Sequence, residues 1–148
     1  MVAQHPRYPG GASWSIDEIP YHTLERERVS DNALLLYLVA TAAFVEITSD
    51  IYTRNLADFF RGDADVVDWL EHAWEREELQ HGGALKRYVE FAWPDFGWDD
   101  AYQGFLAEFL GFCSVDQLAP TRALEMAARC VVETGTAAFY RALAEMSP

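Results

Sequence analysis

Apolar residues run almost without interruption from Ala33 to Ile47, ALLLYLVATAAFVEI, and Glu46 is the only charge among them. Three consecutive N-cap candidates, Ser30, Asp31 and Asn32, precede the run, so it reads as the opening of a helix. A helix that is apolar all round is a buried one. The pattern continues through DIYTRNLADFF to Arg61-Gly62-Asp63, a strong turn signal, which predicts a helix over 31–60. A second helix, 64–93, begins near Asp63 or Asp65 and ends before Pro94. Its core stripe is Val67, Leu70, Trp74, Glu78, His81, Leu85 and Val89, spaced three or four apart. Pro94 to Gly97 is a connection, and Asp99 or Asp100 caps a shorter helix over 99–112 with Phe105, Phe109 and Phe112 on one side. Ser114 or Asp116 precedes a final helix over 119–146, with Pro120 in its first turn. Ahead of all these, Pro6, Pro9, Gly10 and Gly11 favour an irregular arm whose end Trp14 pins to the body. Ser15 to Glu18 has capping-box spacing, and a short helix is expected around Tyr21 to Val29. The whole is an all-α antiparallel bundle, with an N-terminal arm and short helix over 1–30 and a bundle domain over 31–148.

Polar residues break the core stripes at a few places only. Glu78 and His81 are i and i+3 on a helix, so both side chains leave one face and can grip one cation. A carboxylate oxygen beside an imidazole nitrogen suits iron or manganese, with zinc the alternative; no Cys/His spacing of the zinc-finger type occurs. Glu46 stands on a stripe with Val39, Ala42 and Ala43. Burying it costs several kcal/mol unless it is paired, with Arg54 the basic candidate, or protonated, or bound to metal. Glu46 and Glu78 each lie 16 residues from Gly62. A hairpin turning there sets both about 24 Å from its tip, at one level. In the final helix the file Met126, Arg129, Cys130, Glu133, Thr136, Ala137, Tyr140 again carries one carboxylate among small and apolar residues; Glu125 falls off that file. Gly82 and Gly83 inside a helix cost about 1 kcal/mol each, which points to close helix approach or room for a small ligand. Glu71, Glu75, Glu77 and Glu108 read as solvated. His5, His22 and His72 do not share the stripe of His81.

Composition narrows the function. The chain of 148 residues is 51% hydrophobic and 14% aromatic, enough for one globular core. A net charge of −13, with only 11 basic residues and no basic patch, argues against a nucleic-acid surface and against docking on an anionic membrane. No signal-like segment and no run of 18 apolar residues occurs, which reads as a cytoplasmic protein. Cys113 and Cys130 lack a CxxC context and read as buried free thiols.

Glu77-Glu78-Leu-Gln-His81-Gly82, preceded by Trp74 and followed by Leu85, Lys86 and Tyr88, resembles the E-E-x-x-H-G helix of the ferritin-like di-iron carboxylate proteins. The flanks lean toward the soluble acyl-carrier-protein desaturase branch. Val131 to Leu143, VVETGTAAFYRAL, is similar to the third metal-bearing helix of that superfamily. The likeness covers roughly 33–93 and 119–143. It implies a four-helix bundle with two iron ions, manganese being an alternative metal. Glu46 would be a terminal ligand, Glu78 a bridging carboxylate, His81 a nitrogen ligand of the same iron and Glu133 the lone Glu of the second half. The family pattern also needs a second Glu-x-x-His, and no histidine follows Glu133. A turn at Pro148 would place that partner near position 163, so three expectations stand: a last metal-binding helix beyond the given sequence, a partner chain that completes the site, or a relic binding one metal or none.

The resemblance implies an O₂-dependent oxidoreductase acting on a small organic or acyl substrate. An iron-storage module and a helical interaction protein that has lost its metal are the competing readings. A bundle short of one helix leaves apolar stripes uncovered, so a homo-oligomer, a dimer or larger, is expected.

Overall fold

The computed structural model describes residues 14–146, which hold helices and turns and no strand. The apolar run forms α1, Ala33–Ile47, with the Asn32 side chain accepting the Leu35 N–H at 3.0 Å. It is not buried all round as expected: one face packs inward, while Leu34, Tyr37 and Val45 on the other are 59%, 69% and 44% exposed. The single helix expected over 31–60 is broken instead. Thr48 ends α1, its hydroxyl donating to the carbonyls of Phe44 and Val45, and α2, Ser49–Phe59, continues with a bend of 44°. A side chain that bonds the preceding turn in this way competes with the backbone ladder and bends the axis. The hairpin turns where expected, and Gly62 takes φ +99°, which a side chain would resist.

The return limb of the hairpin is one rod in three parts: α3, Ala64–Trp69; a π-helical turn, Leu70–Trp74; and α4, Glu75–Ala92. Pro94 follows. Next come α5, Trp98–Phe109, extended by a 3₁₀ turn to Phe112, and α6, Arg122–Met146. The last helix starts three residues later than its predicted bound because Thr121 caps it, accepting the Leu124 N–H at 3.3 Å. The short helix expected near Tyr21–Val29 is a chain of 3₁₀ turns over Ile16–Glu18, Tyr21–Thr23 and Arg26–Arg28. Pro20 separates the first of these turns from the second, and the extended backbone at Leu24 separates the second from the third, so no α-helical turn propagates. The capping box at Ser15 and Glu18 does form.

α1 packs chiefly along α4, and their contact holds the larger core: Leu35, Val39, Ala43, Phe44, Val89 and Ala92, with Trp98 closing one end edge-on against Phe44. A smaller core near the hairpin tip gathers Leu56, Phe60 and Leu70. The N-terminal segment lies along α4, where the Tyr21 hydroxyl donates to the Ala84 carbonyl at 3.0 Å and Arg26 Nε to that of Ala92 at 3.3 Å. α6 is the loosely covered element: Glu125 and Leu143 are its only buried residues, while Leu124 is 54% and Val131 73% exposed. The two cysteines therefore depart from the expectation of buried thiols. Cys113 is half-buried and Cys130, on the open side of α6, is exposed. No single described helix is long and apolar enough to cross a membrane; α1 and α2 pass that test only as a bent pair.

Candidate metal centre

Glu46, Glu78 and His81 come together. One ligand atom from each lies within 4.8 Å of the other two, and they form the only such group of three among the described residues. Two things bring them there. The equal spacing about Gly62 sets the carboxylates level, and Gly82 lets the helix backbones touch. A Cβ on Gly82 would sit 2.7 Å from both the Ile47 nitrogen and Ile47 Cγ1 and 3.0 Å from the Glu46 carbonyl carbon. The close approach thus falls one residue from His81 and against Glu46 itself.

Glu46 is buried, 6% exposed. Its Oε1 accepts a short hydrogen bond from the Tyr140 hydroxyl of α6, and Arg54 does not reach it, pairing with Asp50 at 3.1 Å instead. Burial, then the hydrogen bond to Glu78, push the Glu46 carboxyl up from 4.5 to about 8, so it carries its proton at neutral pH. Burial also acts to raise Glu78, but its hydrogen bonds to His81 and Glu46 outweigh this and hold it below the usual range. His81 is raised, chiefly by the Glu78 carboxylate beside it, against the opposing effect of burial. Its Nδ1 lies 3.9 Å from Glu78 Oε2. The three groups thus share protons in a fixed arrangement: neutral Glu46, anionic Glu78 and a histidine biased to the cation. A divalent ion would replace those protons with one charge.

The His81 ring stacks on Trp14, 5.9 Å between centroids and 11° between planes, and Gln80 Nε2 donates to the Trp14 carbonyl at 2.6 Å. Trp14 is therefore held against the body, on a candidate ligand; the irregular arm expected ahead of it lies outside the described residues. Tyr140 stood in the Glu133 file without being singled out as a partner. Its signal was its spacing, since seven residues after Glu133 it recurs on the same face two turns on.

Glu133 is not part of the trio. It is mostly exposed on α6, although it lines the same cavity as Glu46 and Glu78. Partial burial first, then the charge of Glu78, raise its carboxyl, and the Trp74 side chain hydrogen-bonds to it. Glu125, just over two turns earlier, is the acid the structure buries most on α6, at 2% exposed. It is spent on structure: Oε1 lies 3.0 Å from Arg129 Nε and 3.3 Å from the Tyr52 hydroxyl, and Oε2 accepts the Ala119 N–H at 2.8 Å. His22 and His72 are exposed, His72 facing Asp68 at 3.3 Å, and His5 lies outside the described residues.

The chain matches no protein-family model, no curated protein and no solved structure. The reading of the centre therefore rests on its own geometry.

Proposed function

We propose that Glu46, Glu78 and His81 hold a divalent transition metal, iron foremost and manganese next, and that the protein is a ferritin-like oxidoreductase that uses O₂ to oxidise a small organic molecule. The observation that carries this is the convergence of two carboxylate oxygens and an imidazole nitrogen within 4.8 Å at the point where α1 and α4 touch. The donor set fits: hard oxygens with one nitrogen suit iron and manganese better than softer metals. When bound, ferrous iron supplies electrons to O₂ and so allows oxidation of a C–H or amine group. The chain's own part is to orient and to manage charge. Tyr140 anchors Glu46 through Oε1, Trp14 supports one face of the His81 ring, and the proton held on Glu46 leaves when a cation enters. Second partners that fix a ligand's direction commonly matter nearly as much as the ligand. Glu133, on the wall of the same cavity, is the residue from which a second ion would be held, with its remaining ligands supplied from outside the described residues.

The test is metal content after anaerobic loading with ferrous iron, followed by oxygen uptake. The wild type is expected to retain at least one iron per chain, and Glu78→Ala and His81→Ala to retain none. Unaltered stoichiometry in either variant would remove the assignment.

The uncovered apolar side chains of α6, Leu124 and Val131 among them, favour association of this chain into a dimer or larger particle. A monomer by sedimentation at micromolar concentration would count against that.

A further inference from the structure

Beside the two carboxylates lies a partly open cavity of about 160 Å³ between α1, the start of α2, the π-helical turn, α4, the end of α5 and α6, with Val45 and Val132 at its solvent side. Apolar and aromatic side chains, Val45, Tyr52, Trp74, Phe109 and Val132, share its wall with the hydroxyl residues Thr48, Ser49 and Thr136 and with the charged groups Glu46, Glu78, Glu133 and Arg129. From this, and resting on the metal reading above, we infer that the cavity takes an uncharged organic molecule about the size of one aromatic ring, and that this is the class of substrate presented to the centre.

Size is the first argument. An apolar cavity of about 150 Å³ in another protein holds benzene, so this one seats a six-membered ring with one or two added atoms, whereas an extended acyl chain would leave most of its length in water. The shape of the wall is the second. Tyr52, Trp74 and Phe109 offer ring faces and edges, Val45 and Val132 aliphatic surface, and such walls bind by dispersion and by release of water rather than by charge.

Charge is the third. The one cation in the wall, Arg129, is already paired in charge: its Nε lies 3.0 Å from Glu125, without the alignment of a hydrogen bond, and its guanidinium carbon lies 4.7 Å over the Tyr52 ring. An anionic ligand would have to separate that pair while meeting Glu78 and Glu133. A cationic ligand would compete with the metal for the same carboxylates. A neutral ligand avoids both penalties. The hydroxyl of Thr136 is turned to its own helix, donating to the Val132 carbonyl at 3.1 Å, so it offers no free donor to select a polar group.

The probes are toluene and decanoate, titrated into the full chain with and without ferrous iron under argon, with binding read by saturation-transfer NMR. Toluene is expected to bind and decanoate not. Val132→Trp and, separately, Thr136→Phe fill the cavity from exposed or half-exposed positions of α6, and each is expected to weaken toluene at least tenfold while iron content stays at the wild-type level. Leu124→Trp, on the same helix outside the cavity, is expected to change neither. Equal toluene binding in the wild type and both filled variants, no toluene binding to the wild type, or preference for decanoate would overturn the inference. Loss of iron from every form while toluene still discriminates the variants would sink the metal reading and leave the pocket standing as a binding site.

Discussion

A methyl group placed on Gly82 tests whether helix contact sets the geometry of the metal centre. The Cβ of Gly82→Ala would lie 2.7 Å from the Ile47 nitrogen and 3.0 Å from the Glu46 carbonyl carbon, both backbone atoms that cannot swing aside. Relief requires α1 and α4 to separate. Overpacking of this kind costs about 1–3 kcal/mol, and replacing glycine by alanine in a helix returns roughly 0.5–1 kcal/mol, so a net loss of about 1 kcal/mol is expected. Gly83→Ala is the internal control. Its Cβ meets only Ile16 Cδ1, at 2.8 Å, the movable end of a side chain, so the helix gain prevails. The two neighbours should therefore move in opposite directions, separated by about 2 kcal/mol, or several degrees in thermal midpoint for a chain of this length. Thermal denaturation of the metal-free proteins by circular dichroism reads this. Because the separation pulls Glu46 from Glu78 and His81, Gly82→Ala should also lose iron while Gly83→Ala keeps it. Equal midpoints for the two variants, or full iron content in Gly82→Ala, would refute the argument that this contact builds the site.

Glu46→Gln copies the protonated side chain. Glu46 titrates at about 8 in the fold and at 4.5 when unfolded, so its contribution to stability is complete below pH 4.5, declines as pH rises, and is gone above about 8. The full separation corresponds to at most ~5 kcal/mol, reduced to about 2 kcal/mol by solvent reaching the carboxylates through the cavity. Metal-free Glu46→Gln should gain that amount on the wild type between pH 5 and 8.5 in urea titrations, and parallel pH curves would contradict it. Tyr140→Phe removes the donor to Glu46 Oε1 and should lower the unfolding free energy by about 1 kcal/mol, read as a lower urea midpoint at unchanged slope; no shift would mean that this hydrogen bond contributes nothing net. Glu125→Gln leaves the Arg129 cation without its buried partner and should cost about 2–3 kcal/mol with iron content unchanged. Loss of iron in that variant would move Glu125 from structure to site.

Much of the fold is local and was therefore legible in the order of residues. Asn32, Gly62 and Pro94 act through their own backbone or their immediate neighbours, and the helix bounds they mark hold to within two residues. The register of Glu46 with Glu78 was also legible, because a hairpin of two helices converts equal spacing about a turn into equal height. The break at Thr48 was not. Threonine is common inside helices, and only its hydroxyl's choice of the Phe44 and Val45 carbonyls, made in a fully buried position, bends the axis there.

The sequence by itself determined that the chain is helical, where it turns, and that a carboxylate and an imidazole share a face of α4. The tertiary structure alone decided which acids serve the centre. Glu46, Glu125 and Glu133 are the same residue type on similarly apolar files, yet one meets Glu78 and His81, one is consumed by Arg129 and the Ala119 amide, and one stands across a cavity. The reason is that a side chain's periodicity names the face it leaves from but not the neighbour it meets. That depends on how closely two helices approach and at what rotation, and here a glycine without a side chain sets the approach. Trp14 on His81 and Tyr140 on Glu46 are likewise contacts between segments 67 and 94 residues apart in the chain, beyond the reach of any local pattern.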